Sequence, residues 1–359
     1  MDKNTKEKLF AKLADADSKT SWKLASIPHM ELSEGKMIKL VDPNILNANN
    51  PFELPYDESA VQSICDRAEV SGRGITRLPE ALFNEHLNDY FNYAPSKSSI
   101  VNIYDNKVYA CLSENYKILN IMDCVKRLIE HIDLSFDDVD ILNYGISATY
   151  TYVDFEVRDT KVLKKYSKAF EIKMNKNSKT FPVLRFVTSN TGYSGANLYP
   201  LLKSGSHLYF MCEPIVLNHK GDATIAKFSK NCEKIYSLIL EGAEKMEELA
   251  KVSIDNPAEC AANIAKEIKL PKKVMIPILE DMKEVYGYST CSARDVYQYI
   301  SKYIETVEVD WKQHKAADMV SRALSLDFKK FDRSYAQWLS NSKSTESVEN
   351  NYYQSFFVA

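Results

Sequence analysis

The segment from Ser189 to Gly195 is the first candidate for a ligand-binding loop, because its two glycines lie among small polar residues. A loop of this kind can present backbone N–H groups to a phosphate. The segment lacks the Gly-Lys-Ser/Thr ending of a P-loop, and no helical pattern directly follows it. A turn between two strands is therefore the favoured interpretation, and a phosphate-binding loop is the alternative.

Cys212 and His219 have residue types that suit nucleophilic catalysis. On a single strand, their odd spacing of seven points the two side chains to opposite faces. No second histidine or acid lies at helical ligand spacing from His219, so a metal site is not expected there. Asp137, Asp138 and Asp140 cluster in a predicted loop, which favours a solvated connection. We therefore expect a protein that is not an enzyme and that has no metal and no cofactor.

A local excess of positive charge lies between residues 158 and 185, although the net charge of the chain is −3. The segment holds nine basic residues and two acids, and aromatic residues flank it. Basic residues beside aromatic rings are typical of grooves that bind single-stranded nucleic acid. The candidate nucleic-acid-binding residues are Arg158, Lys161, Lys164, Lys165, Tyr166, Lys168, Lys173, Lys176, Arg185 and, further along the chain, Lys203. The alternative is a solvated hairpin whose lysines protect its edges from pairing.

Length and composition limit the class of protein. A chain of 359 residues that is 45% hydrophobic can bury one large core or two ordinary ones. No apolar run approaches the roughly 18 to 20 residues of a membrane helix, and the first residues are too polar for a signal peptide. The seven cysteines form no Cys-x-x-Cys pair, so most are expected to be reduced core residues. We expect a soluble cytoplasmic protein.

The hydrophobic patterns predict an α+β protein, in which a mainly antiparallel β-rich core with packed helices precedes a helical C-terminal subdomain. A hairpin is predicted at residues 100–112, because strand-like runs flank Asp105 and Asn106, which tolerate the positive φ angles of a tight turn. Asn120 is predicted to begin the strongest helix, since apolar residues then recur at helical spacing up to Ile132.

One long strand with a bulge near Val153 is predicted at residues 144–157, and further strands are predicted at 183–187 and 207–217. A long helix is predicted from 225 to 249, and later helices are predicted to begin at prolines. The predicted units are a helical and loop-rich N-terminal region (1–98), the β-rich core (99–222), the helical C-terminal subdomain (223–339) and a flexible tail (340–359).

Three short motifs follow one another between these predicted elements. Ser113 and Tyr116 match a Ser-x-x-Tyr motif, Ser189, Asn190 and Gly192 match a Ser-Asn pair ahead of a glycine, and His219 and Gly221 match most of an Arg-His-x-Gly motif. Their order resembles a phage/plasmid-like domain family of unknown function, over residues 100–335. The chain departs from the family pattern in two places: Asn218 replaces the usual arginine, and Cys212-Glu-Pro replaces the more typical Cys-x-Asn-Gly.

The resemblance implies a genomic setting, because members of the family are typical of phage and mobile-element genomes, often among replication and recombination genes. With the basic segment, it favours a protein of phage DNA metabolism that binds, and by hypothesis anneals, single-stranded nucleic acid in the host cytoplasm. Annealing would also require self-association into a homo-oligomer. The alternative is a non-enzymatic protein that binds and inhibits a host protein such as a defence component. The 22 tyrosines fit this alternative equally well, since tyrosine is enriched at interfaces.

Overall fold

The computed structural model describes residues 1–44, 51–70, 74–94, 97–205, 207–287, 289–307 and 310–332. Its helices are α1 (Lys3–Lys19), α2 (Val61–Arg67), α3 (Glu80–Phe91), α4 (Ile121–Ser135), α5 (Thr160–Phe170), α6 (Ile225–Cys232), α7 (Ile235–Ala250), α8 (Pro257–Glu267), α9 (Lys272–Tyr286), α10 (Ala293–Ser301), α11 (Asp310–Ser321) and α12 (Phe328–Phe331). Its strands are β1 (Thr20–Ser26), β2 (Glu31–Ser33), β3 (Met37–Leu40), β4 (Phe52–Pro55), β5 (Ser98–Tyr104), β6 (Lys107–Ser113), β7 (Val139–Ile146), β8 (Thr151–Val157), β9 (Thr180–Thr188), β10 (Asn197–Ser204), β11 (His207–Phe210), β12 (Ser253–Ile254) and β13 (Cys291–Ser292). The predicted tail at 340–359 lies outside the described residues.

Among the described residues, the larger of two hydrophobic clusters is built on a five-stranded antiparallel sheet with the order β11-β10-β9-β8-β7. Helices α5 and α7 contact this sheet, α4 and α6 pack beside them, and α1 packs against α4 and β7. Helix α4 begins as predicted, because the Asn120 side chain accepts a hydrogen bond from the Asp123 backbone N–H at 3.0 Å. Helices α8 to α12 extend the same cluster, so the predicted α+β class is confirmed.

The smaller hydrophobic cluster combines α2 and α3 with two three-stranded sheets, β1-β5-β6 and β2-β3-β4. The predicted hairpin is confirmed as β5 and β6, with Asp105 at φ 48° and Asn106 at φ 58° in the turn. Strand β1 pairs with β5 along its whole length, so the predicted domain boundary at residue 98 passes through a sheet. The N-terminal region also holds β2, β3 and β4, which are too short to show a clear alternation.

Residues 144–157 form parts of two strands rather than one. Strands β7 and β8 pair as a hairpin, and the Ser147 hydroxyl closes the turn by donating to the Tyr150 carbonyl at 2.9 Å. The register shift lies in β7, between Ile141 and Asn143, and not near Val153. The prediction was wrong because the turn residues carry neither glycine nor proline, so the alternation continues across them.

Helix α5 lies inside the basic segment and was not predicted. Asp159 caps it, accepting hydrogen bonds from the backbone N–H groups of Lys161 at 2.9 Å and Val162 at 3.1 Å. Strand β10 was also not predicted, and the strand predicted at 207–217 ends at Phe210. The long helix predicted at 225–249 is divided into α6 and α7 by a turn at residues 233–234.

None of the described helices combines the length and the apolar character needed to cross a membrane. All seven cysteines are described, and none forms a disulfide. Cys65, Cys111, Cys124, Cys232 and Cys260 are buried, which confirms that most cysteines are core residues, while Cys212 and Cys291 are partly exposed.

Candidate functional site

The three motif segments meet beside one cleft, which we call the motif cleft. Ser113, Tyr116, Gly192 and His219 all contribute to its lining. Its volume of 820 Å³ falls in the range of small-molecule sites. Helix α2 forms another wall, so the motif cleft lies where the smaller hydrophobic cluster meets the larger one.

An aromatic stack joins the segments around the motif cleft. The Tyr116 and His219 rings are stacked, with centroids 4.8 Å apart and planes 12° apart. Trp22 of β1 also stacks on Tyr116, with a centroid distance of 5.9 Å. The Tyr116 hydroxyl donates a hydrogen bond to the Ser189 carbonyl at 2.9 Å. Tyr116 therefore contacts β1 and both of the later motif segments.

His219 has a hydrogen-bond partner at each ring nitrogen. Nδ1 lies 2.8 Å from the Lys117 carbonyl oxygen, which can only accept, so Nδ1 carries the proton. Nε2 lies 3.2 Å from the Thr188 hydroxyl and accepts a hydrogen bond from it. Burial lowers the pKa of His219, although the hydrogen bond to Lys117 opposes that effect. Both ring nitrogens are thus engaged within the protein, and His219 positions the third motif segment.

We expect acid to destabilise the protein partly through His219. Its folded-state pKa lies below the unfolded value of about 6.5, so the unfolded chain takes up the proton first. The stabilisation is therefore present above about pH 6.5 and lost as the pH falls below it. Urea unfolding at pH 7.5 and pH 5.5 should show a smaller pH effect for His219→Asn, whose amide can still donate to Lys117, than for the wild type.

The control for this experiment is His86→Asn, which changes an exposed histidine on α3. This variant should keep the full difference in stability between the two pH values. An equally large difference in His219→Asn would contradict the neutral, buried assignment of His219.

Two hydroxyl groups join the second motif to the β7–β8 turn by hydrogen bonds. The Ser189 hydroxyl donates to the Thr149 carbonyl at 2.6 Å, and the Thr191 hydroxyl donates to the same oxygen at 3.0 Å. Asn190 does not line the motif cleft. It lines a separate cavity of 160 Å³ beside Trp22. The structure thus brings Ser189 next to the motif cleft but places Asn190 at a different cavity.

Two glycines allow the second motif to fold against its neighbours. Gly192 has φ +81°, a left-handed conformation that favours glycine. A Cβ atom at Gly195 would lie 2.5 Å from the Leu217 carbonyl oxygen, so the backbone approaches too closely for a side chain. Gly221, in the third motif, also has a positive φ of 63°. Turn geometry at Gly192 and close backbone packing at Gly195 account for the two glycines of the second motif, as expected for a turn between two strands.

The structure divides the basic segment among α5, the connection at residues 171–179 and strand β9. Arg185 of β9 forms a paired contact with Asp154 of β8, with Nε–Oδ1 at 2.6 Å and Nη2–Oδ2 at 2.8 Å. Tyr166 of α5 is fully buried, and its hydroxyl donates to the Ile239 carbonyl at 2.9 Å. Tyr166 is therefore part of the protein interior, and the Arg185 side chain, which is 14% exposed, is held by Asp154, so neither is available to a nucleic-acid strand in this structure.

Five of the nine basic residues in the segment have acidic partners. The pairs are Arg158–Glu156, Lys165–Glu244 at 2.9 Å, Lys168–Glu247 at 3.1 Å, Lys176–Asp138 and Arg185–Asp154. The other four, which we call the open lysines, are exposed and have no ion-pair partner within the described ranges: Lys161, Lys164, Lys173 and Lys179. Lys203 is partly exposed, and its ammonium lies 6.0 Å from the centroid of the Phe181 ring.

Arg67, Asn218 and Lys220 also line the motif cleft, and the sequence did not identify them as site residues. Asn218 and Lys220 flank His219, so their place beside the third motif was a usable signal. Arg67 lies in the last turn of α2, where a basic residue is ordinarily explained by the helix dipole. No local sequence pattern distinguishes Arg67 from a basic residue that only interacts with the helix dipole.

Comparisons with family models, with curated proteins and with solved structures each give no match. The resemblance to the phage/plasmid-like family therefore stays a hypothesis that rests on the motifs. Among the described residues, no group of histidine, cysteine, aspartate and glutamate side chains could hold a metal ion.

Proposed function

We propose that this protein binds single-stranded nucleic acid without cleaving it, in the DNA metabolism of a phage or mobile element. The observation that supports the proposal is the set of open lysines, whose ammonium groups have no ion-pair partner in the part of the chain that the structure describes. Such groups bind phosphates by releasing condensed counterions, which requires neither a deep cavity nor a catalytic residue. The motif resemblance contributes the biological setting.

The structure limits how strong this binding can be. Four phosphate contacts by the open lysines give an expected slope of log K against log salt of about −3, since single strands release roughly 0.7 counterions per contact. The exposed pair Lys168–Glu247 adds little stability, so a phosphate can compete for that lysine at small cost. Arg158 is less accessible, because it stacks on Phe181 and also donates to the Ser178 carbonyl at 2.8 Å. We therefore expect a moderate, salt-sensitive affinity.

Charge reversal of the open lysines tests the proposal. A variant that carries Lys161→Glu, Lys164→Glu, Lys173→Glu and Lys179→Glu should bind a labelled oligo-dT at least about tenfold more weakly at low salt, with a much shallower salt slope. Fluorescence anisotropy over a salt series measures both quantities. Lys165 and Lys168 stay unchanged, because glutamates there would repel Glu244 and Glu247 of α7.

The matched control reverses four other exposed lysines that have no ion-pair partner within the described ranges: Lys8, Lys230, Lys266 and Lys273. It changes the net charge by the same amount, so it should keep most of the affinity. An equal loss in both variants would show attraction by overall charge alone. No binding by the wild type at micromolar protein would contradict the proposal and favour the alternative, a protein that binds a host protein.

A further inference from the structure

Arg67 is a half-buried residue at the wall of the motif cleft. Its Nε atom is inaccessible to solvent and has no hydrogen bond. Its charge acts on the buried Cys111 thiol, where burial raises the pKa to about 12 and Arg67 opposes that rise. Cys111 of β6 lines the same cleft, so α2 and β6 both contribute to its wall. A buried donor without a partner costs stability, and native structures usually satisfy it with a water, an ion or a ligand.

Lys220 brings a second positive charge to the motif cleft. It is exposed, and its ammonium has no ion-pair partner among the residues that the structure describes. The described lining holds a single carboxylate, Asp66, which accepts a hydrogen bond from the Gln62 amide at 2.9 Å. Two cations therefore face one anion, and an arginine with a lysine is a common pair of ligands for phosphate.

The rest of the lining suits a ligand larger than phosphate. Ser113, Asn115, Ser194 and Asn218 supply neutral hydroxyl and amide groups, which can bind sugar hydroxyls or the edge of a base. A volume of 820 Å³ leaves room for such a group beside the phosphate. We propose that the motif cleft binds a phosphate ester of nucleotide size, with Arg67 and Lys220 on the phosphate and Asn115 and Asn218 on the remainder.

This inference does not depend on the proposed function, because none of the open lysines lines the motif cleft. The phosphate could belong to a free nucleotide or to the end of a nucleic-acid strand. Four probes distinguish these sources by calorimetry: deoxyadenosine monophosphate, deoxyadenosine, and one oligonucleotide with and without a 5′-phosphate. Deoxyadenosine monophosphate should bind saturably, and deoxyadenosine should not.

The variants Arg67→Met and Lys220→Met should each weaken binding of deoxyadenosine monophosphate by at least about tenfold, since each removes charge-assisted hydrogen bonds. The controls are Arg77→Met and Lys230→Met, which change exposed residues outside the lining and should leave the affinity unchanged. Reversal of the open lysines should also leave it unchanged. Failure of this inference and failure of the proposed function are therefore separate results.

Thermal unfolding distinguishes a ligand contact from a structural role for Arg67. Without ligand, Arg67→Met should melt at the wild-type temperature or above it, because the variant removes an unsatisfied donor. With deoxyadenosine monophosphate, the wild type should gain stability by mass action and Arg67→Met should gain much less. A variant that melts well below the wild type would indicate that Arg67 holds the fold.

Two binding results would overturn the inference. One is the lack of saturable binding by all four probes at millimolar concentration. The other is an equal loss of affinity in Arg77→Met and Arg67→Met. Binding of only the 5′-phosphorylated oligonucleotide, sensitive to Arg67→Met, would support the phosphate site and identify a strand end as its source.

Discussion

Replacement of Arg185 by methionine is expected to destabilise the protein by about 3–5 kcal/mol, the cost of breaking a buried ion pair. The variant leaves the Asp154 carboxylate, which is 2% exposed, without its partner. Burial alone would lower the pKa of Arg185, but the charge and the hydrogen bonds of Asp154 raise it above its usual range. The Arg185 guanidinium is therefore charged in the folded protein. Urea unfolding at neutral pH measures the loss.

The double variant Arg185→Met/Asp154→Leu tests whether the loss comes from the unpaired carboxylate, because it removes both charges and fills the space with apolar atoms. It should recover most of the lost stability. Lys161→Met, in the same basic segment but exposed, should change the free energy of unfolding by no more than about 0.5 kcal/mol. If Arg185→Met were as mild as Lys161→Met, the buried-pair assignment would be wrong.

Tyr116→Ala is expected to cost about 3–5 kcal/mol, as for other large aromatic side chains removed from a core. The substitution removes the ring between Trp22 and His219 and the hydrogen bond to Ser189. Tyr116→Phe keeps the stack and loses only that hydrogen bond, so it should cost about 1 kcal/mol. Denaturant unfolding of both variants separates the contribution of the ring from that of the hydroxyl.

Tyr93→Ala is the control for this pair, because Tyr93 is 85% exposed. It should change the stability by no more than about 0.5 kcal/mol. Equal stabilities for Tyr116→Ala and Tyr116→Phe would mean that the aromatic stack contributes nothing beyond the hydroxyl. The stack would then have no part in holding the motif segments together.

The elements that could be predicted from the sequence are those that local chemistry specifies. The β5–β6 turn needs two residues that tolerate positive φ, and Asp105 and Asn106 meet that need. Asn120 caps α4 through its own side chain. Helix α5 was missed although local signals were present, since Asp159 caps it and its buried residues recur at helical spacing: Val162, Leu163, Tyr166 and Ala169. The lysines between these positions favoured the interpretation as a charged hairpin instead.

The site could be predicted only in part, for a related reason. The order of the motifs indicated that Ser113, Tyr116 and His219 belong together, and the structure places all three at one cleft. The charge count of the basic segment was less informative, because it could not include partners distant in sequence. The acid that pairs with Lys165 lies 79 residues away, in α7. Local counts of lysine and arginine therefore overestimate the charge that a surface offers to a ligand.

The raised pKa values of its seven thiols make the native chain suitable for labelling at an introduced cysteine. Burial raises the pKa of Cys65 to about 11 and the pKa of Cys111, Cys124, Cys212 and Cys291 to about 12, and it raises the pKa of Cys232 and Cys260 further still. At neutral pH, these raised pKa values keep the thiols protonated and therefore slow to react. A cysteine introduced by Asn218→Cys, on the exposed rim of the motif cleft, would react with maleimide dyes first. A fluorophore can thus be placed beside the cleft while all seven native cysteines remain.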